Sequence, residues 1–358
     1  MKYLGGLVLV LFASSALAAP ADDEPCPKRG GNPTTLVRRI GLYGRVYPHE
    51  LGRVWYSTKN FNVVMDDGRI IEKLPAADVP KGFLAIALQS WFVEHDKAIY
   101  RIDRRTKAET KLADLDNRVA FAQEYGALFY WATVGSKTGV LRRVAPTGGT
   151  PETLWTGKGV NVVVIEAGTI IVADGTTVTS IPHSALPGTK PLQLAKGLKH
   201  VRALAADATH VYILDGGTKP NQGTILRVPK QGGALEKLAG SLASPTVIAV
   251  DDDRVYVMGD GTGDVSTIPK TGGKPTVLIP TPPNDWACRT TAWIDVSARG
   301  LTYLRMSKGW DTRTGELIDW GTLWSLPAAG LKDPQQQYRD WAATKGGTAG
   351  EPGEQPTD

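Results

Sequence analysis

Side chains able to do chemistry are scattered along this chain of 358 residues instead of being gathered into a linear motif. Five histidines are present, and His95, next to Glu94, and His200 are the two that count as candidates, together with Asp215 and Asp260. A His with a neighbouring carboxylate suits proton transfer or the holding of a polar ligand, although a lone His is usually a hydrogen-bonded structural residue. Asp260-Gly-Thr-Gly-Asp264 loosely resembles a calcium loop, but it lacks the third carboxylate and the distal Glu such a loop requires, so it reads as a turn. Arg289, Asp311 and Arg313 complete the polar candidates.

No motif of covalent or metal catalysis accompanies them. In Gly135-Ser-Lys-Thr-Gly139 the Ser stands one place too early for a nucleophile elbow, and the segment reads as a hairpin. There is no His-Glu-x-x-His, no paired Cys-x-x-Cys and no phosphate-binding Gly loop. No cofactor, metal or catalytic residue is expected on this ground, though loops can assemble a site that leaves no linear trace.

Aromatic residues offer the other chemistry. Trp286, Trp293, Trp310, Trp320 and Trp324 put half of the ten tryptophans into one stretch near the C-terminus. Trp293 and Trp324 read as packing residues, whereas Trp286, Trp310 and Trp320 fall in expected loops. A loop indole can stack on a sugar, a peptide side chain or a cation, or it can pack on its neighbours and hold the loop down.

The elements that must position these groups show themselves as an internal repeat. Gly223-Thr-Ile-Leu-Arg-Val-Pro-Lys-Gln-Gly-Gly233 aligns with Asp264-Val-Ser-Thr-Ile-Pro-Lys-Thr-Gly-Gly273 and with Gly139-Val-Leu-Arg-Arg-Val-Ala-Pro-Thr-Gly-Gly149. Each is preceded by an apolar run, a turn and an aromatic run, and followed by a short strand-like piece, so one unit is four strands. Markers at Met65, Ile102, Val144, Ile181, Val228, Ile268 and Leu326 are spaced about 43 residues apart on average, the period of four-stranded propeller blades. Runs such as Phe83–Ala87 and Val162–Ile165 are continuously apolar, as expected of sheets covered on both faces. The expected fold is an all-β, seven-bladed β-propeller over residues 30–331. Gly30-Gly-Asn-Pro-Thr-Thr-Leu36 matches Gly272-Gly-Lys-Pro-Thr-Val-Leu278, which predicts that residues 30–38 close the ring as the outer strand of the last blade and hide two edges.

Together, Leu128-Phe-Tyr-Trp-Ala-Thr133 and Gly223-Thr-Ile-Leu-Arg-Val-Pro-Lys230 resemble secreted bacterial propellers of the YWTD and TolB-like groups. Tyr130-Trp131-Ala132-Thr133 departs from the YWTD pattern in having no Asp in register. The resemblance implies a fold and a leaning toward binding proteins. It brings no catalytic residues with it.

Composition agrees with a globular, turn-rich domain: 42% apolar residues, 22% charged, 40 Gly and 24 Pro, with a mean hydropathy of −0.17. Residues 1–18 read as a secretory signal peptide, with Lys2, an apolar run from Leu4 to Ala13 and the small-x-small site Ala16-Leu17-Ala18. Export to the periplasm or the outside of the cell is therefore expected. The run is too short to span a bilayer, and a formal charge of +5 with no basic block argues against nucleic acid. A monomer is expected. Residues 19–29 form a lead, and residues 332–358 form a tail in which 334–343 could be a short helix.

In an exported chain the two cysteines invite a Cys26–Cys288 bridge. Strand directions nevertheless put the two on opposite faces, about 17 Å apart along a five-residue strand, while bridged Cα atoms lie within about 7 Å.

In such a propeller the connections between second and third strands, and from sheet to sheet, share one face. Its expected insertions are 133–139, 215–223, 259–264, 279–291 and 305–321. That loop-rich face is where Trp286, Arg289, Trp310, Trp320, His95, His200, Asp215 and Asp260 were expected to meet a ligand. Three functions fit: a non-enzymatic receptor for a peptide, glycan or envelope protein; a lyase or hydrolase built around His200; and a structural envelope subunit.

Overall fold

The computed structural model describes residues 34–327 except for connections at 42–45, 50–51, 57–59, 65–69, 76–79, 88, 136–137, 167, 260–263, 280–287, 298–299 and 312–315. Side chains are described chiefly between residues 80 and 279. The signal peptide, Cys26, Asp260, Trp286, Arg313 and the tail all lie outside the described residues.

Among the described residues there is no helix, and the strands form seven four-stranded antiparallel sheets. Sheets 1 to 6 are consecutive stretches of chain, 46–75, 83–114, 118–157, 162–195, 201–242 and 245–279, each ordered from its first strand to its fourth. Sheet 7 takes three strands from the end of the chain, Cys288–Ser297, Gly300–Asp311 and Glu316–Pro327, and its fourth from the beginning, Thr34–Gly41. That fourth strand pairs antiparallel with Glu316–Pro327, Thr34 opposite Ser325 and Gly41 opposite Trp320. First strands of successive sheets lie against one another from sheet 1 round to sheet 7. The architecture is a β-propeller closed by its N-terminal strand, as the repeat predicts.

Packing follows from this arrangement. A sheet with neighbours on both sides has no wet face, so its strands need apolar residues without alternation. Tyr212, Ile213 and Leu214 are all buried in succession, as are Phe129, Tyr130, Trp131 and Ala132. Each core cluster bridges adjacent sheets: Phe92 of sheet 2 stacks on Phe129 of sheet 3 at 4.2 Å, and a further cluster runs through sheets 5, 6 and 7. Each such side chain contributes about 1.5–3 kcal/mol by leaving water.

Third-to-fourth strand turns use paired glycines because both positions need positive φ. Gly232 and Gly233 have φ of 86° and 141°, Gly272 and Gly273 have 87° and 140°. The Gly273 amide donates to the Leu238 carbonyl of the preceding sheet at 3.0 Å, so the turn also ties two sheets together.

First-to-second strand turns solve the same problem in two ways. Gly126-Ala127 adopts positive φ outright. Sheets 5 and 6 use an Asp instead. Asp207 Oδ1 accepts the amides of Thr209 and His210, each at 2.8 Å, and Asp251 Oδ1 accepts those of Asp253 and Arg254 at 2.9 and 2.7 Å. The other oxygen takes a tyrosine hydroxyl five residues on, Tyr212 at 2.8 Å and Tyr256 at 2.6 Å. Tyr256→Phe is expected to cost about 1–2 kcal/mol through the lost donor, a difference readable by urea denaturation.

These turns carry a repeated clasp across the seams from sheet 3 to sheet 6. Lys270, in the third-to-fourth turn of sheet 6, reaches back to Asp207 of sheet 5, Nζ to Oδ2 at 2.6 Å. His183 of sheet 4 stands in the same place and packs edge-on against Tyr125 of sheet 3, with centroids 5.1 Å apart. Outside it, Arg227 donates to the Lys270 carbonyl at 2.8 Å, and Arg143 donates to the carbonyls of His183 and Ala185, both at 2.7 Å. Between sheets 4 and 5 the clasp is reduced. Ser180 replaces the arginine, with a 3.5 Å contact to the Lys230 carbonyl, and Ile171 stands where the tyrosine would be.

Two expectations about sheet 7 need correction. Residues 305–321 are not a long loop: the second and third strands continue, paired, to Asp311 opposite Glu316. Trp310 lies opposite Leu317 and Trp320 opposite Ser307, so both are strand residues. Trp and Ile favour strands, and the extra residues of this unit lengthen a hairpin. Cys288 and Arg289 likewise belong to the first strand of sheet 7 and not to the connection before it.

Candidate functional site

On the loop-rich face a cleft of about 370 Å³ opens beside the first strand of sheet 5. Its lining comes from three segments: Lys199, His200 and Arg202 leading into and along that strand, Gly216 to Pro220 after the second strand, and Ser244 before sheet 6.

Asp215 builds this cleft. The carboxylate ends the second strand of sheet 5 and is buried, with 6% exposure. It accepts the Lys199 amide at 2.9 Å, the His200 amide at 2.8 Å and the Gly217 amide at 3.2 Å. The Gly216 amide in turn donates to the His200 carbonyl at 2.8 Å. Two loops are thereby fixed against each other by one inward-facing acid, which directs the side chains of Lys199 and His200 to the surface. Thr218 Oγ1 donates to Gln222 Oε1 at 3.1 Å and holds the opposite wall.

Gly216 lets the Arg202 stem lie close: a Cβ there would fall 2.7 Å from Arg202 Cγ and 2.8 Å from its Nε, so the arginine packs against the glycine. The lining therefore holds Lys199, Arg202, Lys219 and His200, with no carboxylate and no Phe, Tyr or Trp. Lys199, His200, Arg202 and Lys219 are exposed. An anionic group is what such a surface can hold.

Of the residues expected to bind, His200 and Asp215 come together here. His200 lines the cleft, while Asp215 is spent on amides and supports it. His95 is elsewhere, at the end of the second strand of sheet 2, stacked on Tyr100 at 4.0 Å and 3.4 Å from Glu109. Arg289, Trp310 and Trp320 belong to strands of sheet 7. Lys199, Arg202 and Lys219 were missed. Their signal was Lys196, Lys199, His200 and Arg202 within seven residues with no acid among them.

A second titratable cluster lies at the reduced clasp between sheets 4 and 5. Glu166 ends the first strand of sheet 4 and accepts the Ala206 amide. Burial, with Asp295 and Asp207 adding to it, pushes its carboxyl up to about 8 against the pull of Lys230. Lys230 is 7% exposed, its Nζ has no hydrogen-bond partner among the described residues, and burial lowers its pKa. Among the described residues no group of three or more His, Cys, Asp and Glu could hold a metal ion.

No protein-family model matches the chain, and no curated protein matches it. Solved structures do. Hsv2 of Kluyveromyces lactis, a β-propeller, is 12% identical, covers 78% of this chain and 98% of its own, and superposes with a TM-score of 0.53. A form of that protein with loop 6CD replaced by a Gly-Ser linker gives 11% identity, 78% and 96% coverage and a TM-score of 0.54. The YWTD propeller of a nidogen/laminin complex is 15% identical over 64% of this chain and 92% of its own, with a TM-score of 0.42. At these identities the likeness is one of fold.

Proposed function

We propose that this chain is an exported, non-enzymatic binding protein. Residues 1–18 direct export, and the propeller presents its loop-rich face to a peptide, glycan or envelope protein through the cleft at His200. The observation that carries the reading is the contrast between the two faces. On the turn-rich face Lys270 and Arg143 hold sheets together, Lys270 on Asp207 and Arg143 on Glu152 and two carbonyls. On the other face Lys199, Arg202 and Lys219 surround an open cleft with no acid in its lining. The hydrolase reading gains no support among the described residues, where the Asp215 carboxylate beneath the cleft accepts three amides.

Peptide and glycan arrays probed with the secreted chain test this. Arg202→Ala and Lys219→Ala should each lower the captured signal about tenfold, the scale of one lost charged contact. Lys190→Ala removes the same charge from an exposed site on the opposite face and should leave the signal unchanged. Equal losses in all three variants would reduce the effect to net charge and overturn the reading.

A further inference from the structure

We infer that the His200 cleft is a receptor for a phosphate monoester carried on a larger molecule. This rests on the binding role proposed above and names the ligand chemistry.

Three features of the lining lead there. The first is charge. Lys199 and Arg202 come from one lining segment and Lys219 from another, His200 lines the same cleft, and Asp215 faces inward onto amides. Like charges brought to one cleft repel each other, and a ligand that relieves the repulsion gains the most when it brings close to two negative charges. A carboxylate brings one.

The second is shape. A carboxylate has two oxygens in one plane, which a single guanidinium fork can satisfy. Here the donors come from two segments, Lys199, His200 and Arg202 from one and Lys219 from the other, with the Arg202 stem against Gly216. Several cationic donors from separate segments suit the three terminal oxygens of a phosphate monoester, which point in three directions.

The third is the lack of Phe, Tyr or Trp in the lining. Sugar rings and bases are commonly held by stacking on such large rings, and here the small imidazole of His200 is the one ring the lining offers. Recognition falls on the charged group, while the open mouth lets the rest of the ligand continue into solvent. A space of about 370 Å³ is near the lower end of small-ligand sites, as expected when one headgroup is held and its carrier is not.

The test is calorimetric titration of the secreted chain at low ionic strength with sodium phosphate, sodium sulfate, glucose 6-phosphate, glucuronate and glucose. Phosphate, sulfate and glucose 6-phosphate should bind about tenfold or more tightly than glucuronate, with no binding of glucose. Arg202→Ala and Lys219→Ala should each weaken the phosphate arms about tenfold, with melting temperatures within about 2 °C of the parent, as for other exposed positions. Lys190→Ala should match the parent.

Vesicles identify the carrier. Co-sedimentation with phosphatidic acid but not phosphatidylglycerol supports a lipid monoester, and tighter binding of glucose 6-phosphate than of free phosphate supports a sugar ester. Glucuronate binding as well as phosphate, no oxyanion binding at all, or phosphate binding that survives both substitutions would each overturn the inference. The two proposals fail separately. Array ligands lost in Arg202→Ala yet not displaced by phosphate would keep the binding role and remove the oxyanion, whereas array ligands indifferent to Arg202→Ala would remove the role itself.

Discussion

Asp207→Asn is expected to lower the melting temperature by about 6–10 °C at neutral pH, the result of losing on the order of 3 kcal/mol in a domain of this size. Burial alone would raise the Asp207 pKa. Hydrogen bonds from Lys270, from the His210 and Thr209 amides and from the Tyr212 hydroxyl outweigh it and hold the carboxyl well below the usual range. Asparagine keeps one oxygen for the turn amides, so the turn itself should survive. Its amide nitrogen cannot accept from Lys270 Nζ, which then stands over the Tyr212 ring, 5.3 Å from the centroid, without its counter-charge.

Both partners of the pair are largely buried, at 15% and 20% side-chain exposure, so water offsets only part of the loss. The sign of the pH dependence follows from the lowered pKa. The pair's contribution is present above the unfolded value near 4 and is lost as pH falls through the folded value. Parent and variant curves should therefore converge in acid. A double-mutant cycle with Lys270→Met isolates the pair. A coupling below about 0.5 kcal/mol would show that the seam between sheets 5 and 6 does not depend on it.

How much of this was legible beforehand depends on how far apart the interacting residues stand. The Gly-Gly pairs, the apolar second strands and the match of Gly30–Leu36 to Gly272–Leu278 are local strings, and they were enough for the fold and its closure. The clasp was half legible. Pro229-Lys230 and Pro269-Lys270 are visible repeats, but the partner of Lys270 lies 63 residues upstream on another sheet. The cleft was legible through His200 and Asp215 only. The role of Asp215 depends on the 216–217 loop turning back toward residues 199 and 200, which a sequence string does not display. Arg202 is an outward strand residue in sequence, and its place against Gly216 depends on a loop 14 residues downstream. Trp310 and Trp320 misled because a long spacing between repeats is the same in sequence whether it lengthens a loop or a hairpin.

Glu166→Gln should change the slope of stability against pH. Glu166 occupies the position of Asp207 one sheet earlier: Val164 pairs with Ile171 as Ala205 pairs with Tyr212. Without a tyrosine at Ile171, and with Lys230 making no hydrogen bond to it, burial dominates and its pKa rises to about 8. A raised folded pKa stabilises the protein fully below the unfolded value near 4.5. That contribution is lost as pH climbs through 8.

The parent should therefore lose on the order of 3 kcal/mol between pH 5 and pH 9 from this group, allowing for its partial contact with water. The glutamine variant should not, and should be the more stable of the two at pH 9. Lys230 acts in the opposite sense, because a lowered amine pKa costs stability as pH falls below about 10.5. Lys230→Met should remove that opposing slope and steepen the alkaline loss. Melting curves of parent, Glu166→Gln and Lys230→Met from pH 5 to pH 10 separate the two groups. Parallel curves for parent and Glu166→Gln would mean that this carboxyl ionises as freely in the folded chain as in the unfolded one, and the seam between sheets 4 and 5 would then be as wet as the rims.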